Sequence, residues 1–362
     1  MLDKGRISSV QLLLIICMLD GATGIFFLAS EVAKIAGPDS WISVSILPSL
    51  YGLLVAGVVI ALAKRFPYKV FTEYLPDVVG KIPGKLLAAV YTLSFIFVAS
   101  VILNEGTTFI NAAFMPRTPL SVFDVMLAVV AIYGAYLGIE CIARENELIF
   151  SLFMISILLT LALVTTDINL NNLKPVFENG ILPAIKAAPM ICPLRGYVFF
   201  ILMLYPYLNQ KQEAAKVALL FLLIYTVYPV WAMLTIVGLL GGQVTGHLVF
   251  PYLVLARYIS VGNFLDRMEI LIAVIWIAGV FMKLAVFYHS AAIAAANTLG
   301  LRSYRATLLP IAIITVIISR TLFPTILKLT TFLSQTYPIY ALIGELAIPA
   351  LILLIALIRK RM

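Results

Sequence analysis

Apolar runs of about 20 residues recur along the whole 362-residue chain, and this repetition constrains the fold more than any other feature. A helix needs about 20 apolar residues to cross the hydrocarbon core of a bilayer. The residue-by-residue alternation of an outer-membrane barrel does not appear in the sequence. Only 12% of the residues are charged, whereas soluble domains carry about a quarter, so lipid must cover much of the surface. The sequence therefore predicts an all-α, polytopic membrane protein, with residues 1–362 forming a single integral membrane domain.

Hydropathy and the basic residues together predict about ten membrane-spanning helices with both termini in the cytoplasm. We expect the spans at 9–30, 41–63, 86–112, 119–139, 147–165, 189–209, 215–240, 269–298, 306–324 and 338–358. The inner side then holds 15 of the 25 Lys and Arg residues, and such residues favour cytoplasmic loops. Termini on one side require an even number of spans. The interrupted stretch 246–265 would break this agreement as an eleventh span, so we interpret it as re-entrant or interfacial.

Two of the predicted spans contain residues that interrupt a helix. The first carries Asp20-Gly21-Ala22-Thr23-Gly24, and glycine is a poor helix former. The sixth begins with Pro189 and Pro193, and proline removes a backbone donor and clashes with the preceding turn. Breaks at these two positions are typical of two inverted five-helix repeats, here 9–165 and 189–358, whose broken helices form a substrate site. Close helix packing through Gly-x-x-Gly is the alternative explanation of the first break.

Four of the charged residues inside the predicted spans stand out, since a charge at the bilayer centre costs roughly 2.5–3.5 kcal/mol. Glu105 lies in span 3, Lys283 lies in span 8, and Asp20 and Arg195 lie at the two breaks. An ion pair between Glu105 and Lys283 would neutralise both charges. Direct contact with a ligand, or a path for water or ions past Asp20, Glu105 and Lys283, are the open alternatives.

Several functional classes find no support in the sequence. It lacks a phosphate-binding glycine loop, a His-Glu-x-x-His pair and a nucleophile elbow, so we expect no enzyme activity. The three cysteines show no metal-like spacing, and we expect neither a metal nor a cofactor. The net charge of +8 is spread over short loops and therefore indicates orientation in the membrane, not nucleic-acid binding.

Four segments together resemble the spore germination permease family, the B subunits of nutrient germinant receptors. They are FPYKVFTEYLPDVVGKIPGK at 66–85, LGIECIARENELIF at 137–150, LYPYLNQKQEAAK at 204–216 and LDRMEILIAVIWIAGVFMKLAVFYH at 265–289. Their order and spacing carry the resemblance, which covers essentially the whole chain. The part of the last segment from Asp266 through Trp276 to Lys283 is the most characteristic.

This resemblance implies a fold, a location and a function. The family is similar to the amino acid–polyamine–organocation superfamily, with the leucine-transporter-like five-plus-five inverted repeat and helices 1 and 6 broken. It implies a sensor in the inner membrane of the spore that works with an A subunit and a C-subunit lipoprotein and binds a small nutrient such as an amino acid. An ion-coupled amino acid transporter and a water- or ion-conducting subunit are the alternatives. The implied pocket is lined by Gly21, Ala22, Thr23, Gly24, Glu105, Arg195, Gly196, Tyr197 and Lys283.

Overall fold

Ten helical segments long and apolar enough to cross a membrane make up most of the molecule. The structure is a computed structural model that describes residues 2–258 and 268–359. Within these ranges, spans 1 to 10 are Ser9–Ser43, Ile46–Arg65, Lys81–Ala113, Leu120–Leu137, Ile139–Thr165, the pair Leu182–Met190 and Cys192–Tyr207, Lys211–Leu240, Glu269–Leu299, Arg305–Leu322 and Ile326–Ile358. The two parts of span 6 are bent by 49°. The prediction of about ten helices is confirmed.

Three spans extend furthest beyond the ends that the hydropathy pattern predicts. Span 1 continues to Ser43 because the helix re-forms as Ala29–Ala36 and then turns at Gly37, whose φ of 53° favours glycine. Span 5 begins at Ile139 and not at 147, since its polar first turns hold an ion pair of 2.6 Å between Arg144 and Glu140. Span 10 begins at Ile326 and not at 338, and contains two π-helical stretches, Phe332–Thr336 and Leu342–Ala347.

Spans 1, 3 and 8 form the centre of the bundle. Span 8 packs along span 3 and also contacts spans 4 and 5, while span 1 lies against spans 5 and 7. Small residues in span 8 permit this close packing, and the run from Ala291 to Ala296 is buried. The large apolar side chains exposed on the other spans are those expected of a surface covered by lipid. Polar residues in the middle of spans 1, 3 and 8, such as Thr23, Glu105 and Lys283, are therefore buried within the protein.

Short helices connect the spans. The loop 64–85 contains the helix Phe71–Val79, and this helix buries one face against span 3. After span 7, Gly242–His247 packs on Ala29–Ala36, and Pro251–Arg257 packs on span 8. Neither helix is long enough to cross a membrane, which agrees with leaving 246–265 out of the span count. The last part of that stretch, 259–265, lies outside the described residues.

The segment before span 1 is fastened to three distant parts of the chain. Ile7 lies beside Leu208, just after span 6: its amide donates to the Tyr207 carbonyl and its carbonyl accepts from the Asn209 amide, both at 3.0 Å. Asp3 accepts a hydrogen bond from the amide of Ile139 at 3.0 Å and contacts Nε2 of His289 at 2.8 Å. Burial alone would raise the pKa of Asp3, but the contact with His289 and the backbone hydrogen bonds lower it below its ordinary value. The ionised carboxylate thus stabilises this docking.

Candidate functional site

The break in span 1 has its backbone held in place by aromatic side chains. The helix Ser9–Gly21 ends at the break, and a π-helix, Gly24–Leu28, follows it. The carbonyl of Ala22 accepts a hydrogen bond of 2.9 Å from Nε1 of Trp276, and the Cys17 carbonyl accepts one from the Tyr225 hydroxyl. A side chain at Gly21 would meet the Tyr225 hydroxyl at 2.7 Å, so this close approach requires glycine. Carbonyls that a helix break exposes are thereby satisfied within the protein.

A chain of polar contacts crosses the break and joins spans 1, 3, 6 and 8. The Lys283 ammonium donates a hydrogen bond of 2.6 Å to the Thr23 hydroxyl, which in turn donates one of 2.8 Å to Glu105. The same ammonium lies 4.6 Å from the centre of the Tyr197 ring, within the range of a cation–π interaction. Glu105, Lys283 and Thr23 are all buried, so these contacts replace solvation by water. The Thr23 hydroxyl therefore stands between the two charges that the sequence places in spans 3 and 8.

A second pair of charges connects the two broken spans directly. Arg195 in span 6 forms an ion pair with Asp20 in span 1, and both side chains are buried. The guanidinium also donates to the carbonyl of Val44 at 3.4 Å and lies 5.5 Å from the centre of the Tyr225 ring. A buried ion pair is costly to break because removing one partner leaves the other charge uncompensated. This pair therefore couples the positions of spans 1 and 6.

The structure brings most of the predicted pocket residues together and separates one. Asp20 to Gly24, Glu105, Arg195, Tyr197 and Lys283 lie at the junction just described. Gly24 packs beside Leu194 of span 6, where a side chain would meet a methyl group at 3.1 Å. Gly196 instead faces spans 2 and 10, since a side chain there would overlap the Glu345 carboxylate and approach Tyr51.

Sequence reasoning missed two further acids within the spans, of which Asp124 is buried and Glu345 is half-buried. Glu345 lies in span 10 and accepts a hydrogen bond of 3.1 Å from the Tyr51 hydroxyl. Asp124 in span 4 forms an ion pair of 2.6 Å with Arg320 in span 9. Both acids lie inside predicted spans, so the test that selected Glu105, a carboxylate within an apolar run, would also have found them. The hydroxyl of Tyr337, 3.2 Å from that of Tyr197, carried no comparable signal.

The space at the junction is small in this conformation. A cavity beside the pair of Asp20 and Arg195 has a volume of about 30 Å³. A buried water needs roughly 10–15 Å³, whereas a cavity of about 150 Å³ is required for a molecule the size of benzene. A larger polar cavity of about 680 Å³ lies where Ala33–Asp39 meets the loops that follow spans 5 and 7. The junction itself thus has room for water but not for an amino acid.

Comparison with known proteins places the whole chain among relatives of one kind. The sequence model of a family described as "Spore germination protein" matches residues 6–324. Spore germination protein KB of Bacillus subtilis (strain 168) is 28% identical over 294 residues, which cover 80% of this chain and 78% of that protein.

Two solved structures share the architecture. One is Mhp1, a nucleobase-cation-symport-1 family transporter in a closed conformation with bromovinylhydantoin bound, with a TM-score of 0.69 and 15% identity over 99% of this chain and 80% of that one. The other is MhsT in complex with L-phenylalanine, with a TM-score of 0.63 and 13% identity over 95% of this chain and 88% of that one. Such low identities show the fold alone. The predicted leucine-transporter fold, with five-plus-five inverted repeats and helices 1 and 6 broken, is confirmed.

Proposed function

Because this chain belongs to the family of spore germination proteins, we propose that it is the membrane subunit of a germinant receptor. In this proposal it binds a small nutrient, an amino acid, at the junction of the broken spans and thereby triggers germination. It acts with an A subunit and a C-subunit lipoprotein in the inner membrane of the spore, with both termini in the cytoplasm. These partners and this location rest on the sequence resemblance.

The observation that carries the proposal is the set of four buried charges at the breaks. Arg195 and Lys283 supply two cations, and Asp20 and Glu105 supply two anions. An amino acid zwitterion has one group of each sign, so its carboxylate can take the place of an anion and its ammonium that of a cation. Such an exchange adds one charge of each sign and leaves the net charge of the junction unchanged, whereas a ligand of a single sign would leave a buried charge uncompensated. MhsT, a protein of the same fold, holds L-phenylalanine, which supports an amino acid as ligand.

Ligand binding at this junction must change the conformation. The cavity of about 30 Å³ beside the ion pair cannot hold an amino acid, so the Thr23 bridge or the pair of Asp20 and Arg195 has to open. A ligand shifts a conformational equilibrium only by its difference in affinity for the two states. Contacts between ligand and protein that form only after the junction has opened therefore supply the free energy for the signal.

Germination of spores that carry Lys283→Met tests the proposal. The variant keeps the length of the side chain but removes the charge that Thr23 and Tyr197 bind. We expect at least about a tenfold loss of nutrient sensitivity, since a hydrogen bond to a charged group contributes about 1.5–3 kcal/mol. Lys64→Met, at an exposed lysine in span 2, is the matched control. Immunoblots must show that the Lys283→Met and Lys64→Met variants are both present at normal levels. If Lys283→Met spores respond like the control, the ligand does not bind at this junction.

A second function, ion-coupled transport of an amino acid, is favoured by one observation. The likeness to Mhp1 covers 99% of this chain and 80% of that one, so this chain shares most of the architecture of a transporter. Counterflow of a radiolabelled amino acid into liposomes that contain the purified protein separates the two functions. Accumulation above protein-free liposomes supports transport, whereas ligand binding without counterflow supports a receptor that only senses.

A further inference from the structure

A cavity of about 160 Å³ lies between spans 3, 6, 8 and 10. Half of the residues that line it are aromatic, and all four spans contribute rings. The principal rings are those of Phe95, Tyr197, Phe200, Phe287, Tyr337 and Tyr340. The hydroxyls of Tyr197 and Tyr337 contact each other at 3.2 Å, so those two polar groups are satisfied without a ligand. The cavity therefore offers ring faces and edges with little demand for hydrogen bonds.

One carboxylate, that of Glu345, lines this aromatic cavity. Among the residues that the structure describes, no Lys or Arg nitrogen lies within 4.0 Å of it, and the neutral Tyr51 hydroxyl donates to it at 3.1 Å. Gly196 leaves the room that the carboxylate occupies, since a side chain at that position would overlap it. Glu345 lies within the π-helical stretch Leu342–Ala347, a helix form that is frequent at functional sites. An acid in an apolar wall is costly unless a cation accompanies it.

We propose that this cavity binds a small organic ammonium ion, whose nitrogen pairs with Glu345 and whose apolar body lies against the aromatic rings. Aromatic faces attract cations, and cages of such rings are a known means of binding ammonium groups. The volume limits the ligand, because an apolar cavity of about 150 Å³ holds a molecule the size of benzene. The cavity thus fits a primary amine of about six to nine heavy atoms.

The rim of the cavity indicates the route of entry and the charge of the ligand. Val90 and Ile343 are 51% and 50% exposed, and they lie among the apolar side chains of spans 3 and 10 that face outward. A monoamine with an apolar body can partition into lipid and enter there. A zwitterion is disfavoured, since its carboxylate would meet aromatic walls and the like charge of Glu345. This cavity adjoins the Thr23 junction, since the Tyr197 ring lines the cavity and also contacts Lys283, but the inference does not depend on the proposed function.

Calorimetric titration of the purified full-length chain in lipid nanodiscs with benzylamine tests this proposal. Benzyl alcohol, of the same size but uncharged, is the matched ligand. We expect benzylamine to bind at least about tenfold more tightly than benzyl alcohol, and Glu345→Gln to remove that difference. Glu147→Gln, at an exposed glutamate in span 5, is the control variant and should behave as the unmodified protein. Phe287→Leu, which removes a ring but keeps an apolar side chain, should weaken benzylamine several-fold and benzyl alcohol little.

Three results would overturn the proposal. Equal affinities for benzylamine and benzyl alcohol would show that the cavity is an apolar crevice, suited to a lipid chain and not to an ammonium ion. Tight benzylamine binding that survives both Glu345→Gln and Phe287→Leu would place the amine elsewhere. If the unmodified protein gives no heat of binding with benzylamine, and its unfolding transition shows that it is folded, the cavity is not a site for an ammonium ion. None of these outcomes bears on nutrient sensing at Thr23, which the Lys283→Met spores test separately.

Discussion

Replacing Thr23 with valine removes a hydroxyl while leaving the volume of the side chain almost unchanged. That hydroxyl accepts from Lys283 at 2.6 Å and donates to Glu105 at 2.8 Å, so one substitution breaks two bonds to buried charges. A hydrogen bond to a charged group contributes about 1.5–3 kcal/mol, although hydrogen bonds measured within membranes average nearer 0.6 kcal/mol. Lys283 keeps its contact with the Tyr197 ring, and the two charges still attract each other. We therefore expect Thr23→Val to lower the free energy of unfolding by about 2–4 kcal/mol.

Reversible unfolding of the purified protein in mixed micelles measures this effect. Thr92→Val is the matched control, because Thr92 is also buried and bonds only to the Ala88 carbonyl of its own helix, at 2.9 Å. We expect the control to change stability by less than about 1 kcal/mol. A double-mutant cycle with Glu105→Gln should then show a coupling between positions 23 and 105. Equal effects of the two Thr→Val changes, together with no coupling to position 105, would refute the idea that Thr23 joins the charges.

Three further predictions concern other parts of the structure. Asp20→Asn should lower the free energy of unfolding by about 3–5 kcal/mol, because it leaves Arg195 buried without its anion; the same unfolding assay measures it, and a loss below about 1 kcal/mol would contradict it. Gly84→Ala should lower the unfolding temperature, since the added methyl would overlap the helix Phe71–Val79, whereas Gly57→Ala, at a position with open space, should not. Asp3→Asn should increase hydrogen exchange in residues 2–8 at pH 7. In the unmodified protein the pKa of Asp3 is lowered, so the ionised carboxylate stabilises the docked segment above pH 3.8, and this stabilisation is lost only on further acidification. If the protection of residues 2–8 against hydrogen exchange already falls between pH 8 and pH 5, Asp3 does not have this role.

The span pattern and the buried charges were predictable because both follow from the cost of placing polar groups in lipid. That cost selects Glu105 and Lys283 from the sequence alone, and the residues Gly21 and Gly24 mark the break in span 1 by their poor helix propensity. The pairing of the charges was not predictable, since a sequence contains no distances. A direct pair of Glu105 and Lys283 was one expectation, and the structure places the hydroxyl of Thr23 between them.

The ends of the spans were predicted less well than their centres. Hydropathy ends a span where polar residues begin, yet Glu140 and Arg144 continue the helix of span 5 by pairing with each other. The π-helical stretches of span 10 depend on packing against neighbouring spans, which local residue preferences do not encode. The sequence also could not predict that Gly196 makes room for the Glu345 carboxylate, because Glu345 lies about 150 residues later in the chain.

The docking of residues 2–8 has a consequence for the order in which the molecule assembles. This segment is synthesised before its partners Ile139, Leu208 and His289, which follow at separations of 136, 201 and 286 residues. A ribosome that adds about 5–20 residues per second needs more than about ten seconds to reach the last of them. During that time spans 1 to 7 enter the bilayer before residues 2–8 can make all of their contacts. Residues 2–8 thus leave the ribosome long before they can dock completely, and their full set of contacts requires span 8 to be in place.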